Sequence, residues 1–144
     1  MDDLENLNIR FTRLSKIPTG QGNVFHFFKS REMSGDIDTG EVYFSAIAKN
    51  EFRGFKRHKI MRMRLVVPCG HVELSFINLE NKHATKILIG EDNYGLLEVP
   101  PLVWFGFRGV GEKNLLANLA NIEHDPLEFE TKASAVFSSE GYRL

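Results

Sequence analysis

Lys56, His58, Arg62 and Arg64 fall at even positions of one stretch that mixes polar and apolar residues. Side chains alternate across a strand, so Lys56 and His58 share a face if they lie on one, and so do Arg62 and Arg64. A turn within 59–61 decides whether the two pairs share a face with each other. Four cationic or titratable groups inside a small barrel are costly unless they meet an anionic ligand or acidic partners. The alternative is a solvated basic edge strand, which discourages edge pairing. Histidine, with an ordinary pKa near ~6.5, suits proton abstraction at neutral pH, and His58 is the first candidate for a base. Lys56 serves instead if burial or neighbouring cations lower its pKa. Arg64 offers a bidentate fork for phosphate. Arg53 and Arg62 are weaker phosphate candidates, and Arg53 is as readily a structural ion pair. Tyr43 and Tyr94 can donate a proton or stack on a base, or sit in core and rim with their hydroxyls satisfied. Trp104 can stack on a sugar or base, or fill the core.

The elements available to position these groups read as strands. Of the 16 aromatic residues, 12 are Phe, 3 Tyr and 1 Trp, and Phe favours strands and fills cores. Strand-like runs are expected at 24–28, 41–47, 52–59, 64–67, 71–78, 86–89, 96–99 and 103–107, with turns at Pro18-Thr19-Gly20-Gln21-Gly22, Ser34-Gly35-Asp36, Pro68-Cys69-Gly70 and Gly90-Glu91-Asp92-Asn93. Residues 115–122 fit helix or strand by pattern, and their neighbours favour strand. The tail 127–137 is ambiguous, with room for a helix. Short strands at this spacing predict one all-β domain, a sandwich or barrel, over residues 1–144. No helical pattern alternates with the strands, which disfavours a doubly wound α/β fold.

Composition narrows the function. Lys plus Arg number 18 against 19 Asp plus Glu, so no basic excess supports a nucleic-acid or membrane-surface binder. The single Cys69 can form no internal disulfide and no Cys-rich zinc site. The start, MDDLENLNIR, is acidic and polar rather than a secretory signal. No apolar run approaches the ~20 residues that span a bilayer. A soluble cytoplasmic protein is expected. Gly20-Gln21-Gly22 lacks the third glycine and the helix of a dinucleotide fingerprint.

The series Tyr43-Phe44-Ser45, then Phe52-Arg53-Gly54-Phe55-Lys56-x-His58-Lys59, then Leu65-Val66-Val67-x-x-Gly70, resembles the first motif of the sugar-nucleotide cupins. These RmlC-like proteins include the dTDP-4-dehydrorhamnose 3,5-epimerases, the dTDP-sugar 3,4-ketoisomerases and the WxcM-like proteins. Val99-Pro100-Pro101-x-x-Trp104-x-Gly106-Phe107 resembles their second motif. Gly20-Gln21-Gly22-Asn23-Val24-Phe25 is similar to the epimerases' opening segment, and His124-Asp125-Pro126-Leu127-Glu128 to the stretch after their last barrel strand. The resemblance covers residues 20–130.

It implies a jelly-roll cupin barrel, usually a dimer, acting without metal or other cofactor on a nucleotide diphosphate sugar with a 4-keto group. The implied reaction removes a proton beside the ketone, passes through an enolate and returns the proton. That needs a base at the C–H, a cation or donor at the enolate oxygen, and an acid on the opposite face where the centre inverts. Lys56 stands where the epimerases carry their catalytic histidine, and His58 keeps the second histidine of the ketoisomerases. Arg64 stands at the epimerases' lysine and would stabilise the enolate oxygen. Asn118 has the spacing of their catalytic tyrosine. His124 replaces the aromatic residue of the later stretch, and Phe105 the histidine of the second motif. Of the metal-binding cupins' ligand set only His58 is evident, so no metal is expected. The resemblance thus implies a metal-free epimerase or isomerase of a nucleotide-linked 4-keto-6-deoxy sugar, in synthesis of a surface polysaccharide. A catalytically silent sugar-nucleotide binding cupin would share the pocket. The two differ in whether His58 faces a cavity with an acidic partner behind it. A homodimer is expected through 17–29, by strand exchange or sheet extension.

Overall fold

Burial alternates residue by residue along β4 (Glu41–Ala48): Tyr43, Ser45 and Ile47 turn inward, while Val42, Phe44 and Ala46 are exposed. That period of two is what one buried sheet face requires. The computed structural model, which describes residues 3–29 and 39–144, sets β4 in one of two five-stranded antiparallel sheets. The first runs β1 (Arg10–Arg13), β9 (Gly95–Val99), β6 (Met63–Cys69), β11 (Lys113–Ala120), β4. The second runs β12 (Phe129–Thr131), β5 (Phe52–His58), β10 (Phe105–Gly109), β7 (His71–Asn78), β8 (His83–Gly90). A hairpin, β2 (Lys16–Thr19) with β3 (Gly22–Phe25), and two short helices, α1 (Asp3–Asn6) and α2 (Ser134–Ser139), complete the described elements. The two antiparallel sheets, with strands from both halves of the chain in each, make an all-β jelly roll.

The principal core includes Met61, Met63, Leu65, Leu74, Phe76 and Phe105. Two smaller clusters cover outer faces. Phe55, Ile77 and Trp104 pack with Phe137 of α2. Val66, Tyr94, Leu96 and Ala117 are covered by Leu14, Phe25 and Phe27. Phe137 is fully buried and meets Phe55, Trp104 and Tyr142 edge-on, at ring separations of 5.3, 5.3 and 5.1 Å.

Two irregularities aim the side chains. In β5 on β10, Lys56 pairs with Phe105 but Gly54 pairs with Gly106, so one extra residue, Phe55, bulges out. A Cβ on Gly54 would lie 2.7 Å from the Gly106 Cα, so only glycine permits this approach. At the β6–β7 turn Gly70 has φ 75°, and a Cβ there would stand 2.1 Å from the Lys113 carbonyl oxygen.

Most expected strands are present with shifted ends. The run at 24–28 stops at Phe25, and that at 86–89 extends to 83–90. The run at 103–107 moves to 105–109, after a turn in which Leu102 has φ 70°. The run at 115–122 becomes β11, shifted to 113–120, because β4 and β6 pair with both its edges. The ambiguous tail divides into β12 and α2. The turn expected at Ser34-Gly35-Asp36 lies outside the described residues. The sequence prompted no expectation for α1 and β1, whose four residues each are too few to show a period.

Candidate active site

Between the two sheets lies a cavity of about 220 Å³. Tyr43 and Ser45 of β4, Leu116 and Asn118 of β11, and Met63 and Leu65 of β6 form one wall. Lys56 and His58 of β5 with Phe105 and Phe107 of β10 form the other. Arg53 and Gly54 complete the lining and are exposed. An apolar hollow with a few convergent polar groups is the usual form of a small-molecule site.

His58 is 3% exposed, and its ring stacks on Phe105 with centroids 5.6 Å apart. Its Nδ1–H donates to Oε1 of Glu128, which is equally buried. The other carboxylate oxygen accepts the backbone N–H groups of Lys59, Ile60 and Met61 at 3.2, 3.1 and 3.2 Å. Burial pushes the Glu128 pKa up, but the bonds from His58, Ile60 and Met61 outweigh it and hold the carboxyl below its ordinary value. Burial lowers the His58 pKa, with Glu128 opposing. The pair is therefore a carboxylate and a neutral imidazole protonated on Nδ1. That leaves Nε2 with a free lone pair, the form a general base needs.

On the opposite wall, Asn118 Nδ2 donates to the Tyr43 hydroxyl at 2.9 Å. Asn118 Oδ1 accepts the Arg64 backbone N–H at 3.1 Å, so both ends of the amide are engaged. Burial raises the Tyr43 pKa, and the Asn118 bond opposes it. Tyr43 thus keeps its proton at neutral pH.

Lys56 lies with its Nζ 3.8 Å from the centre of the Phe129 ring. Burial lowers its pKa, and the Glu128 charge opposes that. Arg53 donates from Nε to Glu51 Oε2 at 2.8 Å and from Nη2 to the Ala46 carbonyl at 2.5 Å. It is the ion pair weighed as the alternative for this residue.

Several expected site residues stand elsewhere. Arg64 is 2% exposed but lies off the cavity, because the turn at 59–62 puts Met63 and Leu65 inward and turns Arg64 to the outer face, 5.8 Å from the Phe28 ring. The even-numbered face of four groups therefore reduces to Lys56 and His58. Arg62 belongs to an outer groove with Glu5, Asn8 and Arg10. Tyr94 packs edge-on against Phe25 at 5.0 Å outside the first sheet and donates to the His26 carbonyl at 2.6 Å; burial pushes its pKa up to about 12. Trp104 is core under α2, with Arg57 stacked 4.8 Å above it. His124 is exposed on the loop after β11, its ring 5.7 Å from Phe129, and does not line the cavity. Among the described residues no three His, Cys, Asp or Glu side chains converge as a metal site would require.

Sequence reasoning did not single out Glu128, Ser45 or the stacking role of Phe105. Glu128 is 70 residues from His58 and belongs to neither residue's strand pattern. Its one sequence signal is its place in the quoted stretch His124-Asp125-Pro126-Leu127-Glu128.

No protein-family model matches the sequence, and no curated protein sequence matches it. Solved structures do. A dTDP sugar isomerase from Desulfovibrio desulfuricans is 29% identical, with TM-score 0.81 over 90% of this chain and 87% of that one. The dTDP-6-deoxy-D-glucose-3,5-epimerase RmlC of Legionella pneumophila, in complex with dTDP-4-keto-L-rhamnose, is 12% identical, with TM-score 0.76 over 88% and 73%. A variant of the 3,4-ketoisomerase QdtA of Thermoanaerobacterium thermosaccharolyticum, in complex with TDP-4-keto-6-deoxyglucose, is 20% identical, with TM-score 0.72 over 92% and 93%. At 12% and 20% the likeness is one of fold.

Proposed function

We propose, from the premise that this chain is an RmlC-like cupin, that it is an epimerase or isomerase of a nucleotide-linked 4-keto-6-deoxy sugar. The observation that carries the reading is His58, held by a buried carboxylate and facing a cavity whose far wall offers the Tyr43 hydroxyl. The isomerase from Desulfovibrio supports it, being 29% identical over nearly the whole length.

In this reading His58 Nε2 takes the proton from the carbon beside the ketone. The C–H electron pair moves to the oxygen as an enolate. Glu128 stabilises the imidazolium that forms and keeps its ring aligned. Reprotonation of the same carbon from the opposite face inverts it, and Tyr43 is the donor placed for that. Reprotonation at the former carbonyl carbon, with the hydroxyl proton passing between oxygens, moves the ketone instead. A catalytically silent binder would have no use for a buried carboxylate that fixes the histidine tautomer.

The test is solvent exchange. In heavy water, a dTDP-linked 4-keto-6-deoxyhexose should gain deuterium at C3 or C5, read by NMR. A panel of dTDP-, UDP-, GDP- and CDP-linked 4-keto sugars that bind by thermal shift yet never exchange would overturn the reading in favour of the binding cupin.

The chain is also proposed to be a homodimer. Among the described residues β2 and β3 pair only with each other, and their cross-strand neighbours Ile17 and Val24 are exposed. A monomer mass by light scattering at micromolar concentration would contradict this.

A further inference from the structure

We infer that Lys56, as an ammonium ion, is the charge that stabilises the enolate oxygen, and that the base is His58 alone. This rests on the proposed reaction and assigns a role within it. An enolate forming in a cavity between two packed sheets needs a preorganised cation or donor at its oxygen. Arg64, the residue expected to supply it, is on the far side of β6. Arg53 reaches the rim, but its guanidinium is taken up by Glu51 and the Ala46 carbonyl. Lys56 is the other cationic side chain among the described cavity residues.

Its position suits the task. Lys56 and His58 are two residues apart on one strand face, which separates their backbones by about 7 Å. A ketone oxygen and the hydrogen on the next carbon can then be met by two different side chains of one wall. The Phe129 ring beneath the Lys56 nitrogen orients a cation without neutralising it. No carboxylate pairs with Lys56 among the described ion pairs. Burial lowers the Lys56 pKa, and the Phe129 ring face and the Glu128 charge work against it in favour of the ammonium form. A lysine acting as base would have to give up that form. His58 has no such conflict, because burial favours the neutral ring and the bond to Glu128 fixes its proton on Nδ1, leaving Nε2 free. The cationic role carried on β6 in the family pattern thus passes here to β5.

The experiment measures deuterium uptake by a dTDP-linked 4-keto-6-deoxyhexose in wild type, Lys56→Met and Lys56→Arg. Lys56→Met should slow exchange by about 10²–10³-fold, mainly in kcat. Lys56→Arg keeps the charge, cannot serve as a base at neutral pH, and should recover most of the rate. Because arginine is bulkier, a second measurement uses an isostere. Lys56→Cys in a Cys69→Ser background, alkylated with 2-bromoethylamine, restores a less basic amine of lysine's length. If Lys56 is the electrophile, only the alkaline limb of the exchange profile moves to lower pH. Movement of the acid limb instead would make Lys56 the base and overturn the inference. Wild-type exchange with no loss in Lys56→Met would also overturn it. Absence of exchange by the wild type across all the 4-keto sugars would instead fell the proposed reaction itself.

Discussion

Tyr43 and Asn118 are direct cross-strand partners in the register of β4 on β11, and the Asn118 amide donates to the Tyr43 hydroxyl at 2.9 Å. The asparagine at the spacing of a catalytic tyrosine therefore presents a tyrosine from the neighbouring strand. With the oxygen already accepting one bond, the hydroxyl proton is directed elsewhere, and the other nearby acceptor is the weak Met61 sulfur at 3.8 Å.

Tyr43→Phe should accordingly separate two rates. Turnover that requires proton delivery from the first sheet should fall by about 10²-fold or more. Deuterium uptake at the carbon facing His58 should fall far less. NMR of the same reaction reads both, and equal losses would remove Tyr43 from the acid role.

His58→Asn keeps size and hydrogen bonding but removes the base, and should lower exchange by about 10²–10⁴-fold. Glu128→Gln should approach that loss with His58 still present. The glutamine oxygen can still accept from Lys59, Ile60 and Met61, but its NH₂ would face Nδ1 and force the proton onto Nε2. Wild-type exchange in Glu128→Gln would show that the tautomer does not matter.

Activity and stability should both weaken in acid. Folding lowers the His58 pKa, so near and below about 6.5 the unfolded chain binds the extra proton more readily. Stability from this residue is complete above that range and is lost as pH falls through the folded value. Glu128, also lowered, adds a second loss below the ordinary glutamate range, near about 4.3. Urea midpoints from pH 8 to pH 4 should fall in wild type, with a shallower slope between pH 7 and 5 in His58→Asn. The acid limb of exchange should lie below about 6.5.

Phe137→Ala should cost about 3–5 kcal/mol, because the ring is fully buried among three aromatic neighbours. The thermal midpoint should drop by on the order of 10 °C. The side chain lies on the outer face of β5, so the folded fraction should exchange deuterium within a few-fold of wild type. A larger kinetic loss would mean that α2 helps to set the position of Lys56 and His58.

How far the sequence could be read depends on what each residue's neighbours are. Alternation in 41–47 marks β4 because one face is buried and the other wet, and Lys56 and His58 share a face for the same reason. Arg64 leaves that face because parity does not survive the turn at 59–62, the condition on which the four-residue face depended. Arg53 reaches the rim at odd parity only through the bulge at Gly54 and Phe55. Tyr94 and Trp104 have compositions suited to stacking on a ligand, and long-range packing under 25–28 and α2 decides their use instead. The jelly roll itself was legible from strand spacing and motif order together.

The Glu128 carboxylate ties its own segment to the end of β5 and the turn after it through four bonds, three of them from backbone N–H groups 67 to 69 residues earlier in the chain. Closing so long a loop is slow relative to local pairing. The barrel walls close loops as long, 75 residues between Tyr43 and Asn118 and 88 between Arg10 and Glu98, so the histidine tautomer is fixed by pairing of the same range as the sheets themselves. A nascent chain arrested before residue 128 would carry the histidine and the tyrosine yet be chemically idle. Competence therefore waits on the C-terminal segment, whose docking fixes the proton on Nδ1.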